Sequence, residues 1–220
     1  MRRFASSRRD LAVLIRLSRL FFFLILCLNM KMLYTGKGDK GQTKLYHCDQ
    51  KLSKSSQIAE ALGTLDEINS LLGWCKVVAE RGETLSVPKV SPRVATVASI
   101  LEETQNSLFS VQAELAGAPK KLSKTAVTKI EALINVIDKE LPPIKSFIIP
   151  GGTELSAMLD VARTVARGAE RQVVAVAESG NVKIQSTTLA YLNRLSSLLY
   201  ALARLVNNRA GIVEKKPLYR

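Results

Sequence analysis

Between Lys54 and Asn208 apolar side chains recur at helical spacing, and glycine or proline interrupts the pattern at four places. No other feature restricts the fold as much. Residues 54–80 place Ile58, Leu62, Leu65, Leu72 and Cys75 on one stripe, which ends near Gly82. Residues 93–116 repeat it with Val94, Val97, Leu101, Leu108, Val111 and Leu115, and stop at Gly117 and Pro119. Residues 124–140 carry Val127, Ile130, Leu133, Ile134 and Ile137, and Pro142 and Pro143 end them. Pro150-Gly151-Gly152 is a turn, Thr153 is the expected N-cap of a helix over 154–178, Gly180 breaks it, and a last helix runs over 183–208. Five helices joined by short turns predict an all-α fold, an up-and-down bundle. An apolar fraction of 47% with only 5% aromatic residues suits helices packed on helices. No convincing alternating strand follows Ser53, so a parallel sheet has no place here.

Residues 1–31 read as a leader, and residues 32–220 as the bundle domain. The leader holds seven Lys/Arg and one acid, Asp10, around the apolar run "LFFFLILCL". Nine apolar residues are too few to span a bilayer, which takes about twenty, and no A-x-A cleavage pattern follows. The arginine spacing fits an organelle transit peptide, with import into the mitochondrial matrix as the expectation. Secretion is the second alternative; in the third the protein is cytoplasmic, with Met30 or Met32 as its start. Net charge is +13, of which the leader supplies +6, leaving +7 for the rest. A basic surface fits a polyanion, either a nucleotide triphosphate or nucleic acid. The cysteines, Cys27, Cys48 and Cys75, are odd in number and form no C-x-x-C, which argues for a reducing compartment. With His47 as the only histidine, a metal site built from His and Cys has little support.

"TGKGDKGQTK", residues 35–44, carries G-x-G-x-x-G at Gly36, Gly38 and Gly41. It is also one residue short of a phosphate loop, because no lysine follows Gly41. Both motifs need a strand before and a helix after, and a polar stretch follows instead. What remains is an anion nest of successive N–H groups with Lys37, Lys40 and Lys44, the hydroxyls of Thr35 and Thr43, and Lys54 further on. In the fourth helix Arg163, Arg167, Glu170 and Arg171 share one face about 100° wide. That pattern fits a salt-bridged solvent face or a phosphate clamp, and spacing leaves both open. Asp66 and Asn69 sit beside the first stripe, and Asn193 and Ser197 share a face of the last helix. A nucleic-acid-binding protein would spread arginines over several helices, whereas here they cluster on one, with Glu170 among them.

Four ordered segments, "YTGKGDKGQTKLY", "EALGTLDEINSLLG", "FIIPGGTELSAMLDVARTVARGAERQVV" and "YLNRLSSLLYALAR", resemble the PduO-type ATP:cob(I)alamin adenosyltransferases over roughly residues 33–208. The resemblance implies a five-helix bundle with an N-terminal nucleotide-binding loop. It further implies a homotrimer with ATP between subunits, and Mg²⁺ with the nucleotide. It assigns ATP binding to Thr35, Gly36, Lys37, Gly38, Thr43, Lys44 and Lys54 of the loop. To these it adds Arg167, Gly168, Ala169, Glu170 and Arg171 of the R-x-x-x-R-R-A-E-R segment, and Asn193 of N-R-L-S. It implies catalytic roles for Asp66, salt-bridged to Arg163, and for Phe147, packed under the corrin ring. Gly168 departs from the family's arginine, and Ser197 from the aspartate after N-R-L-S.

The implied reaction is attack of cobalt(I) on the 5′ carbon of ATP with loss of triphosphate. An apolar Phe147 in place of the lower axial ligand would ease reduction of cobalt(II). His47 is a poor candidate for that ligand, since the D-x-H-x-x-G motif of base-off cobalamin-binding domains is absent. A reductase and an adenosylcobalamin-dependent acceptor are the implied partners, with no nucleic acid and no membrane span. The rival reading is a non-catalytic, ATP-sensing bundle that delivers cobalamin.

Overall fold

The computed structural model describes residues 34–46, 49–82, 85–87 and 95–219. The leader, its expected boundary after residue 31, His47 and Cys48 lie outside them. The chain divides into two compact units, residues 1–40 and 41–220. The described part of the first is a turn: Gly36 has φ +64°, Asp39 N–H donates to Gly36 O at 3.3 Å, and Lys37 N–H to Thr35 Oγ1 at 3.4 Å.

Among the described residues the second unit holds five helices. They are α1 (Gln57–Arg81), α2 (Val97–Leu115), α3 (Lys124–Asp138), α4 (Glu154–Glu178) and α5 (Ser186–Arg209). Side-chain pairings give their directions. Lys76 meets Glu102 at 3.1 Å and Gln105 bonds Asn69 O at 3.0 Å, so α1 and α2 run antiparallel. Asn193 bonds Glu170 at 2.9 Å and Asn207 bonds Thr153 N–H at 3.1 Å, so α4 and α5 also run antiparallel. Glu131 meets Arg194 and Glu140 meets Arg209, so α3 runs parallel to α5. The result is the expected up-and-down bundle. The core is aliphatic, with α5 the most deeply packed helix: Leu192, Leu195, Leu198, Leu199, Leu202 and Leu205 are buried. Cys75 is buried as well, and desolvation pushes its thiol up to about 11, so at neutral pH it stays protonated and unreactive.

Local chemistry explains the helix starts. Thr96 and Ser99 form a capping box on α2, and Thr153 Oγ1 accepts Ser156 N–H at 3.1 Å on α4, as expected. The start of α5 is capped from another helix. The buried Glu114 of α2 accepts Gln185 N–H at 2.8 Å and the Thr188 hydroxyl at 2.5 Å. A carboxylate at a helix N-terminus satisfies orphan donors and faces the positive end of the dipole.

Two small ladders depart from the helical expectation. β1 (Gln42–Lys44) pairs antiparallel with β2 (Lys51–Ser53), and β3 (Ser86–Val87) with β4 (Ala95–Thr96). Strands of two or three residues are too short to show alternation. The first ladder orders part of the stretch read as a loop, and Lys54 N–H closes it on Gly41 O at 2.9 Å. Among the described residues no helix is long and apolar enough to cross a membrane.

Candidate active site

Two helices and a loop build the main cleft, with a volume of about 590 Å³. α4 contributes Arg163 and Arg167, one turn apart. α5 contributes Ser196, Ser197 and Tyr200. The loop between α3 and α4 contributes Ile144, Ser146, Phe147 and Ile148. Phe147 is 78% exposed. With Ile144, itself 54% exposed, it forms an apolar patch beside two guanidiniums, a surface suited to a partner that is both apolar and anionic. The structure therefore brings together three of the residues singled out in the sequence: Phe147, Arg163 and Arg167.

The cleft is cationic because few of its charges are neutralised. Arg163 Nε meets Asp160, one turn earlier on its own helix, at 3.2 Å. Arg167 and Arg171 make no ion pair or hydrogen bond among the described residues. Among the described residues no carboxylate lines the cleft; Ser197 stands where an aspartate was expected and adds none.

Tyr200 was not anticipated, because an aromatic residue in a leucine-rich helix reads as core. Two guanidiniums, those of Arg163 and Arg204, each lie 5.9 Å from its ring centroid. Desolvation is the main cause that raises its phenol above the usual range, so it stays a neutral donor. Its position one turn beyond Ser196 and Ser197 was the available signal.

Other expected site residues are placed differently. Asp66 is exposed on α1 and makes no ion pair among the described residues, so the Asp66–Arg163 bridge is not formed within one chain. The reason is proximity: Asp160 sits three residues from Arg163 on the same helix face. Ala169 is fully buried, and its methyl packs into the core. Glu170 is held by Asn193 Nδ2 at 2.9 Å; Asn193 Oδ1 in turn accepts from Arg194 at 2.6 Å. Both side chains therefore belong to a network on the α4–α5 seam.

Gly168 is half-buried in α4, and a methyl there would meet nothing closer than Thr64 Cγ2 at 3.9 Å. Gly168→Ala is therefore expected to stabilise the protein by about 0.5–1 kcal/mol, read as a higher midpoint in urea. An unchanged or lower midpoint would contradict the open space seen beside α4.

The loop residues after Gly41 lie on the first hairpin. Thr43 and Lys44 lie on β1 and Lys54 just after β2, and Lys44 meets Asp49 in an exposed pair at 3.2 Å. The hairpin leans on the far end of α4, where Leu45, Leu52, Val176 and Val182 line a second cleft of about 480 Å³. From Arg167 to Val176 is nine residues, or about 13 Å along the helix axis. Thr43, Lys44 and Lys54 are therefore not part of the Phe147 cleft of their own chain. Thr35, Gly36, Lys37 and Gly38 form the turn of the other unit.

Comparison with known proteins gives this geometry a family. Residues 33–206 match the family Cobalamin adenosyltransferase. A corrinoid adenosyltransferase of Bacillus subtilis is 38% identical over 184 residues, covering 82% of this chain and 89% of that protein. The corrinoid adenosyltransferase PduO of Citrobacter freundii is 36% identical over 193 residues, covering 83% of this chain, which spans 53% of its length. A solved structure from Lactobacillus reuteri, a variant PduO-type ATP:corrinoid adenosyltransferase complexed with cobalamin and ATP, aligns with a TM-score of 0.71 at 32% identity. It covers 86% of this chain and 96% of its own. On the strength of that match over most of its length, the chain belongs to the cobalamin adenosyltransferase family.

Proposed function

We propose that this protein transfers the 5′-deoxyadenosyl group of ATP to cob(I)alamin, giving adenosylcobalamin and triphosphate. The observation that carries the reading is the cleft in which exposed Phe147 stands beside Arg163 and Arg167, in a chain of this family. Cobalt(I) gives its electron pair to the 5′ carbon, the C5′–O bond breaks, and the pair leaves on the triphosphate. Arg167 and Arg171, free of carboxylates, stabilise that growing charge, and Mg²⁺ enters with the nucleotide. Phe147 supports the corrin and leaves no donor on the lower face of cobalt, which favours reduction of cobalt(II).

The separation of the hairpin from the arginine row supports a shared site. ATP would bridge Arg167 and Arg171 of one subunit and Thr43, Lys44 and Lys54 of another, in a homotrimer. In the same assembly exposed Asp66 meets Arg163 of a neighbour; Asp160 takes only its Nε and leaves the terminal nitrogens. A reductase must supply the cobalt(I), and an adenosylcobalamin-dependent enzyme must take the product.

The test is anaerobic: the purified trimer, ATP and chemically reduced cobalamin should yield adenosylcobalamin and free triphosphate. Folded protein that binds both and yields neither would replace this reading with the non-catalytic delivery bundle. Phe147→Ala should slow the reaction from cobalt(II) by about tenfold more than the reaction from pre-reduced cobalt(I), a difference of about 1.4 kcal/mol. Equal losses from both starting states would remove this role from Phe147.

A further inference from the structure

We propose that Arg204 is a positioning residue for the corrin-facing loop: it ties the C-terminal segment and the Phe147 loop to α5, and so sets where Phe147 stands in the cleft. This rests on the reading above that Phe147 meets cobalamin.

Arg204 sits in the most deeply buried helix of the bundle, and its side chain is only 4% exposed. Nothing about packing α5 requires a guanidinium there, and burying one is costly unless every donor finds a partner. The partners come from two segments distant in sequence. Nε donates to Glu214 Oε1 at 2.7 Å and Nη2 to Glu214 Oε2 at 3.0 Å, a bidentate fork onto the C-terminal segment. Nη2 also donates to Pro142 O at 2.8 Å, at the start of the Phe147 loop. The same guanidinium lies 5.9 Å from the Tyr200 ring centroid, which lines the cleft.

The C-terminal segment closes the arrangement from its other side. Ile149 N–H donates to Lys215 O, the residue after Glu214, at 2.9 Å. The loop is thereby held at Pro142 and at Ile149, and Phe147 stands between these anchors. The loop has no regular structure, and Phe147 is too exposed for packing to hold it. Its place in the cleft therefore depends on those two anchors: one runs directly from Arg204 to Pro142, and the other from Arg204 through Glu214–Lys215 to Ile149. Among the described residues no other bond reaches the loop between Pro142 and Ile149.

The full-length variants Glu214→Ala and Arg204→Lys test this. Glu214 lies in the segment after α5 and fills no place in the aliphatic core, so its loss opens no cavity there, while it strips Arg204 of its carboxylate; a urea midpoint is therefore taken on each variant to confirm that it is folded. Two further readouts are taken on each: amide hydrogen exchange over residues 144–149, and steady-state KM for cobalamin and for ATP separately. Exchange at Ile149 should speed up about tenfold in Glu214→Ala. KM for cobalamin should rise about tenfold while KM for ATP holds; a displacement of one ångström in such a site is worth up to about 100-fold. Arg204→Lys keeps the charge but not the fork, and should shift both readouts in the same direction. Unchanged exchange overturns the tie. Equal rises in both KM values would show a general loss of structure and overturn the positioning role. Faster exchange with unchanged cobalamin KM overturns it too. In that event Phe147→Ala shows where the fault lies: if it impairs the reaction, the site reading stands and only the tie fails; if it is silent, the site reading fails first.

Discussion

Gly152→Ala is expected to destabilise the protein by about 3–5 kcal/mol, a large part of the roughly 5–15 kcal/mol that holds a domain folded. Two causes add. Gly152 has φ +120°, a region closed to side chains, and forcing alanine there costs about 1–3 kcal/mol. The new methyl would also collide with Asn207 Oδ1 and lie 2.7 Å from both its Cγ and Nδ2. Asn207 cannot yield cheaply. It is 7% exposed, its Oδ1 accepts Thr153 N–H at 3.1 Å, and its Nδ2 donates to Gly151 O at 2.7 Å. Displacing it leaves buried polar groups without partners, at about 1–3 kcal/mol each. Gly151→Ala is the control. Its φ is +124°, but nothing lies within 4 Å of a methyl there, so only the backbone cost applies. Chemical denaturation of both variants decides it: if Gly152→Ala loses no more than Gly151→Ala, the Asn207 contact is not what fixes the turn.

Arg167→Ala should lower kcat/KM for adenosyl transfer by about 10²–10³, or about 2.7–4 kcal/mol of transition-state stabilisation. Arg167 is exposed, lines the Phe147 cleft and has no carboxylate to neutralise it. A group in that state contributes little to the fold, so the unfolding free energy should hold to within about 0.5 kcal/mol. Arg167→Lys should recover only part of the rate, because an ammonium matches the charge but not the forked geometry. A loss below tenfold in the alanine variant would mean that the triphosphate is held elsewhere. Arg163 differs in kind, since Asp160 already fixes its Nε at 3.2 Å.

Much of the architecture was legible before any coordinates. Gly117, Pro142 and Gly180 each fall just beyond a helix end, and Thr153 caps α4 as read. These are local effects: a missing donor, a freed φ, a hydroxyl on an orphan N–H. The β3–β4 ladder was not legible, because two residues per strand carry no period. Nor was Glu114 as the cap of α5, since it lies 71 residues from the amide it accepts. Side-chain roles followed the same division. The row Arg163, Arg167, Glu170 and Arg171 was visible in the spacing, but not that Asn193 would engage Glu170 while Arg167 and Arg171 stayed unpaired.

The sequence by itself determined five helices, their order and ends, and which face of α4 carries the arginines. Periodicity and capping act over a few residues, so these features are written locally. Only the tertiary structure decided that Phe147, Arg163, Arg167 and Tyr200 share one cleft, that Asp160 rather than Asp66 holds Arg163 within the chain, and that Arg204 joins Pro142 to Glu214. Those contacts depend on which helix faces which across the bundle. That pairing is settled by the packing of many aliphatic side chains at once, a property no single stretch of sequence contains.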